Sequence, residues 1–122
     1  MINVIIADDH NLVREGIRAL LEKAEDITVV GEAENGEQAL ELVQAIRPDV
    51  LVMDIAMPGM NGKQTFDALK AIHQKLRVIL CTGYADQRVI NQLTRNEGVI
   101  YLPKPFTIEL LDRKLRELTA KP

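Results

Sequence analysis

Three aspartates, a threonine and a lysine in this chain each close a short apolar run. Asp8 and Asp9 follow Asn3 to Ala7, Asp54 follows Val50 to Met53, Thr82 follows Arg77 to Cys81, and Lys104 comes just after Gly98 to Leu102. If those runs are neighbouring strands, the five side chains meet at one edge. Three carboxylates gathered there repel one another, and a hard divalent cation with oxygen ligands would neutralise them. Magnesium suits such a set, because it takes one or two carboxylates and keeps positions for water and phosphate. A central carboxylate can act as a nucleophile toward phosphorus and form an acyl phosphate. The lysine ammonium and the threonine hydroxyl would then hold the phosphoryl oxygens.

The elements that must position these groups are legible in the periodicity. Short apolar runs alternate with longer amphipathic stretches along the whole chain. The strand Asn3 to Ala7 precedes a helix from about Asn11 to Ala24, with Leu12, Val13, Ile17, Leu20 and Leu21 on one stripe. A strand from Ile27 to Ala33 leads through Asn35-Gly36 into a helix from Glu37 to Ile46, stopped by Pro48. Val50 to Met53 is apolar throughout, as a strand buried on both faces would be. Pro58, Gly59 and Gly62 mark Asp54 to Gly62 as a loop. A helix from Lys63 to His73, the strand Arg77 to Cys81 and a helix from Asp86 to Arg95 follow. Gly98 to Leu102 is the last strand, Pro103 to Phe106 a loop, and Ile108 to Leu118 the last helix. This alternation predicts an α/β fold, a parallel sheet with helices on both faces. In such sheets sites form beyond the carboxyl ends of the strands.

Bulk composition narrows the function class. A chain of 122 residues, 47% hydrophobic and 27% charged, fits one compact domain with an aliphatic core. A net charge of −3 with both signs interspersed gives no footprint for direct nucleic-acid or membrane binding. The single cysteine, Cys81, excludes an internal disulfide and reads as a small buried hydrophobe. The amino terminus has neither the basic segment nor the long apolar run of a secretion signal. No run approaches a membrane span, so a cytoplasmic protein is expected. No Walker sequence or glycine-rich nucleotide fingerprint appears.

Four strings carry a resemblance: Ile6-Ala7-Asp8-Asp9-His10, Met53-Asp54-Ile55-Ala56-Met57-Pro58-Gly59-Met60-Asn61-Gly62, Cys81-Thr82-Gly83 and Tyr101-Leu102-Pro103-Lys104-Pro105-Phe106. In this order, each at a strand end, they resemble the response-regulator receiver domains of two-component signalling systems. The resemblance implies a flavodoxin-like, doubly wound five-stranded sheet of order 2-1-3-4-5 with five helices, and a single receiver domain over residues 1–122. It implies that Asp54 is the phosphoacceptor. Asp9 would bind Mg2+ directly and Asp8 partly through water, with Asp54 and the backbone carbonyl of Ala56 completing the ligands. Lys104 would pair with the phosphoryl group, its bond to Pro105 being cis. Thr82 and Tyr101 would form the switch pair that alters the face of the fourth helix, fifth strand and fifth helix. The implied donor is a histidine kinase or a histidine phosphotransfer protein. A fused output domain in a longer parent and a monomer or weak homodimer fit the same resemblance. Such a domain catalyses only its own phosphorylation and dephosphorylation.

The match has departures. Ala56 cannot hydrogen-bond where many relatives carry a polar residue, Tyr84 is bulky, and Asn96-Glu97-Gly98-Val99 lacks the usual small run. The first half, through Gly62, resembles receivers of helix-turn-helix transcription regulators, and Tyr101 to Phe106 resembles those of hybrid histidine kinases. Divergence, a chimaera or a designed sequence would each give this mosaic. His10 and His73 read as exposed, and Asp26, Asp49, Asp67, Asp86 and Asp112 as surface or cap residues. Two other functions compete: a pseudo-receiver that works without phosphate, and an enzyme that turns over external phosphoesters. The adjacent Asp8-Asp9 pair lacks the two-residue spacing of haloacid-dehalogenase-like phosphatases.

Overall fold

The computed structural model describes residues 1–55, 62–83 and 87–120. Its elements are β1 (Ile2–Ala7), α1 (Asn11–Leu21), β2 (Ile27–Ala33), α2 (Gly36–Ile46), β3 (Val50–Met53), α3 (Gly62–Ile72), β4 (Arg77–Thr82), α4 (Gln87–Thr94), β5 (Val99–Pro103) and α5 (Ile108–Ala120). The strands form one parallel sheet in the order β2-β1-β3-β4-β5. The expected flavodoxin-like arrangement is therefore the one observed.

Alternation along each central strand explains why these runs are apolar throughout. Ile5, Ala7, Leu51, Met53, Val78 and Leu80 face a core that also holds Ala39 and Val43 of α2, Phe66 and Leu69 of α3, and Ile90 and Leu93 of α4. Val4, Ile6, Val50, Val52, Ile79 and Cys81 face the opposite core, with Ile17 and Leu21 of α1 and Leu111, Leu115 and Leu118 of α5. A residue facing either way must therefore be apolar. Each fully buried aliphatic side chain contributes about 1.5–3 kcal/mol. Together they make the sheet a rigid support for whatever lies at its edge.

Helix ends follow local chemistry. The Asn35 side chain accepts from the Gln38 amide at 2.9 Å and starts α2, while the Gln38 side chain accepts from the Glu34 amide at 2.8 Å. Helix α1 stops at Leu21 instead of Ala24, because Glu22, Lys23, Glu25 and Asp26 are exposed and offer no apolar anchor. Strand β5 begins at Val99, since Gly98 has φ +81°, a left-handed conformation outside the strand range.

The expected stripe on α1 is only partly a core stripe. Ile17 and Leu21 are buried, but Leu12 is 84% exposed and Val13 and Leu20 are also exposed. Arg14 takes the inward position one turn before Ile17. The exposed residues border an open apolar groove of about 590 Å³, completed by Pro105, Phe106 and Ile108 and touching Lys104. His73 also differs from expectation: it is half-buried, with Nε2 at 3.0 Å from the Pro48 carbonyl. Among the described residues, no helix is long and apolar enough to cross a membrane.

Candidate functional site

The strand order reverses direction between β1 and β3, and the crevice beyond their carboxyl ends is where open parallel sheets hold ligands. Backbone hydrogen bonds extend the sheet by one residue into that crevice. The Asp8 amide donates to the Ala33 carbonyl at 3.0 Å, the Asp54 amide to Ala7 at 2.9 Å, and the Lys104 amide to Thr82 at 3.1 Å. Each of the three side chains is thus aimed by the last residue of an adjoining strand.

The acidic groups converge. Asp8, Asp9, His10 and Asp54 each bring a ligand atom within 4.8 Å of the others. Lys104 Nζ donates to Asp8 Oδ2 at 2.7 Å and to Asp54 Oδ2 at 3.0 Å. Asp8 is 2% exposed and Asp54 6%, so both carboxylates lie largely out of water. Burial pushes the Asp8 carboxyl upward, but the Lys104 ammonium and the His10 amide and ring outweigh it and hold it below the usual value. Burial likewise pushes Lys104 down, and its bonds to Asp8 and Asp54 win, raising it above the ordinary lysine value. The three carboxylates of this cluster outnumber the one lysine ammonium that contacts it among the described residues. Asp9 Oδ1 is buried and has no hydrogen-bond partner among the described residues. A buried carboxylate oxygen with no donor fits a cation ligand, and the oxygen-rich set suits Mg2+.

Thr82 is the final residue of β4 rather than the first of a loop, and it is 1% exposed. Its carbonyl accepts from the Lys104 amide and, at 3.4 Å, from the Tyr101 hydroxyl. The Tyr101 ring is half-buried against the core under α4. The Lys104–Pro105 bond is cis. Ala56, Tyr84 and Asp86 lie outside the described residues, as do Pro58, Gly59 and Asn61.

The response regulator receiver domain profile matches residues 4–116. The chain belongs to the response regulator receiver family. It is thus a receiver domain, a phosphoacceptor switch of two-component signalling, in a family that generally binds Mg2+ and whose receivers are not enzymes in the ordinary sense. It is 37% identical over 118 residues to the nitrate/nitrite response regulator protein NarL of Escherichia coli K12, covering 96% of this chain and 54% of NarL. With the response regulator GacA of Pseudomonas aeruginosa the identity is 32%, covering 98% of this chain and 56% of GacA. The chain spans about half the length of these relatives. The receiver domain of a NarL response regulator from Mycobacterium tuberculosis superposes with a TM-score of 0.87 at 31% identity, over 99% of this chain and 98% of that one. The isolated receiver of RcsB from Salmonella enterica, solved with the phosphomimetic BeF3−, gives 0.83 at 30% identity, over 98% of this chain and 89% of that one.

One residue of this receiver escapes the sequence reading. Arg14, buried on α1, donates from Nη1 to the Asp8 carbonyl and from Nη2 to Asn11 Oδ1, and its Nε lies 3.3 Å from Glu32 Oε1. It braces the loop that carries the aspartate pair. The signal was available, since Arg14 shares the three- and seven-residue spacing of Ile17 and Leu21. His10 is exposed beside the site, as expected, but its Nδ1 lies 3.2 Å from both Asp8 Oδ1 and Asp9 Oδ1. Adjacency in sequence gave no information on where that ring turns.

Proposed function

We propose that this receiver accepts a phosphoryl group on Asp54 with Mg2+ held by Asp8, Asp9, Asp54 and the Ala56 carbonyl, and that residues 1–122 act as one such unit. The observation that carries the reading is the Lys104 ammonium shared between two buried carboxylates, Asp8 and Asp54, beside an unsatisfied oxygen of Asp9. Bound Mg2+ would offset negative charge on the incoming phosphoryl group. An Asp54 carboxylate oxygen forms the new bond to phosphorus as the phosphorus–nitrogen bond of a phosphohistidine breaks, and the freed imidazole keeps the electron pair. Lys104 then pairs with phosphoryl oxygens, and Thr82 donates its hydroxyl. The phosphoryl group carries about −1.5 to −2 charges where the Asp54 carboxylate carried one, and it brings new acceptor oxygens, to which Thr82 and Lys104 bind better in one loop arrangement than in another.

Thr82 and Tyr101 form the switch pair in this reading, and the face of α4, β5 and α5 carries the output. The contact of the Tyr101 hydroxyl with the Thr82 carbonyl supports it. The donor is a histidine kinase or histidine phosphotransfer protein of the same cytoplasmic relay. An apolar groove that borders Lys104 gives such a protein a surface beside the acceptor. An output domain in a longer parent agrees with relatives about twice this length.

Incubation with acetyl phosphate and Mg2+, followed by intact mass, tests the proposal. A gain of one phosphoryl group is expected, lost in Asp54→Asn and in EDTA. An Asp54→Asn protein labelled at the wild-type rate would overturn the choice of acceptor. A wild-type protein that never gains mass and does not respond to beryllium fluoride would favour a phosphate-independent interaction module.

A further inference from the structure

The His10 ring is the part of the acidic pocket that phosphoryl transfer, as described, does not use. Its Nδ1 stands 3.2 Å from one oxygen of Asp8 and 3.2 Å from one oxygen of Asp9. Donors about 2.1 Å from an octahedral cation sit about 3.0 Å from their neighbours. The three atoms therefore have the mutual spacing of adjacent ligands of one ion, and Asp54 lies within reach of the same centre.

A purely hydrogen-bonded account of His10 leaves a residue unexplained. One ring proton at Nδ1 can serve one acceptor well, and the contact with Asp8 Oδ1 has hydrogen-bond geometry. The contact with Asp9 Oδ1 does not, for that buried oxygen has no hydrogen-bond partner among the described residues. Asp8 Oδ1 already accepts from the His10 amide at 2.8 Å, so the ring is not needed to satisfy it. The backbone bond holds the His10 main chain against Asp8, and Nδ1 stands at the pocket.

We propose that His10 Nδ1 is a further side-chain ligand of this pocket, recruited when the bound ion is a borderline transition-metal dication such as Co2+ and left outside when it is Mg2+. The inference rests on Asp8, Asp9 and Asp54 holding a divalent cation. Imidazole discriminates strongly between these metals, since Mg2+ prefers oxygen and retains its waters, while Co2+ gains from nitrogen ligands. An all-oxygen pocket would separate the two much less.

Neither the cysteine nor the other histidine offers an obvious rival site. Cys81 is buried, and burial pushes its thiol up to about 12. His73 lies at the far end of the sheet, with Nε2 against the Pro48 carbonyl. His10 is exposed and makes no side-chain cap of α1, so replacing it leaves the fold intact.

The test compares Co2+ and Mg2+ affinities of the wild type and His10→Gln by calorimetry, together with X-ray absorption at the cobalt edge. The wild type should show outer-shell scattering from one imidazole and bind Co2+ more tightly than Mg2+. His10→Gln should lose that scattering and about tenfold or more in Co2+ affinity, with Mg2+ affinity within about twofold. Absence of imidazole scattering in the wild type, or unchanged Co2+ affinity in the variant, overturns the inference. If Mg2+ binding and Asp54 phosphorylation remain normal in that case, only the role of His10 falls. If the wild type binds neither metal, the proposed cation pocket falls with it.

Discussion

Replacing Lys104 with methionine isolates the electrostatic role of the ammonium, because methionine keeps the apolar stem and removes the charge. Lys104 is the partner of two carboxylates, at 2.7 Å from Asp8 and 3.0 Å from Asp54. Removing one partner of a buried ion pair costs about 3–5 kcal/mol, because the other charge stays behind unpaired. The Lys104 side chain is 21% exposed, so water reaches part of the pair and lowers the figure to about 2–3 kcal/mol. An unfolding entropy of about 2.1 cal/mol/K per residue gives about 0.26 kcal/mol/K for the 122 residues. The melting temperature in EDTA should therefore fall by about 8–12 °C.

The same pair predicts how the loss is recovered. Saturating Mg2+ supplies the missing positive charge, so it should raise the melting temperature of Lys104→Met more than that of the wild type. Asp54→Asn should also recover part of the loss, because it removes one of the two carboxylates that lose the ammonium. A double-mutant cycle between positions 54 and 104 should give a coupling of about 1–2 kcal/mol. Thermal melts by circular dichroism measure all four proteins under both conditions. A Lys104→Met protein that melts within about 2 °C of the wild type in EDTA, with zero coupling to position 54, would refute the electrostatic account.

Arg14→Leu should destabilise the metal-free protein by about 1–3 kcal/mol, because the Asp8 carbonyl and Glu32 lose a buried donor; an unchanged urea midpoint would deny Arg14 its bracing role. Acid should act through Asp8, whose folded-state value lies below its ordinary 3.8. Its stabilising contribution is thus complete above that value and is lost as pH falls through and below it. Urea midpoints in EDTA from about pH 6 to about pH 3 should therefore fall less steeply for Asp8→Asn than for the wild type, and parallel slopes would remove Asp8 from the acid response.

What the sequence revealed depends on how directly pattern maps to place. Val50 to Met53 was readable as a doubly buried strand because alternate residues feed two cores and both demand apolar side chains. The site was readable for the same reason: a polar residue ending such a run can only emerge at the sheet edge. Leu12, Val13 and Leu20 were less legible, since periodicity shows that residues share a face but not what covers it. Arg14 occupies the inward line in their stead because its fork satisfies Asp8, Asn11 and Glu32 together, a three-body fit that no linear pattern encodes. Strand ends shifted by a residue at Thr82 and Val99, where the Gly98 conformation and the reach of β5 decide the boundary.

The Thr82 carbonyl joins the chemistry of this site to its proposed output. It accepts from the Lys104 amide and from the Tyr101 hydroxyl, so three residues with separate roles meet on one peptide group. Lys104 is tied to Asp8 and Asp54, which holds the β5–α5 connection against the pocket. A phosphoryl group on Asp54 would compete for that ammonium and for the Thr82 hydroxyl at once. Any shift of the Thr82 main chain toward the phosphate would move the carbonyl that holds Tyr101. Because the bond from Tyr101 is long at 3.4 Å, it is the weakest of these links and the first to yield. On the proposed reading, a movement of the Tyr101 ring on β5 would then be coupled to the pocket through this one shared acceptor.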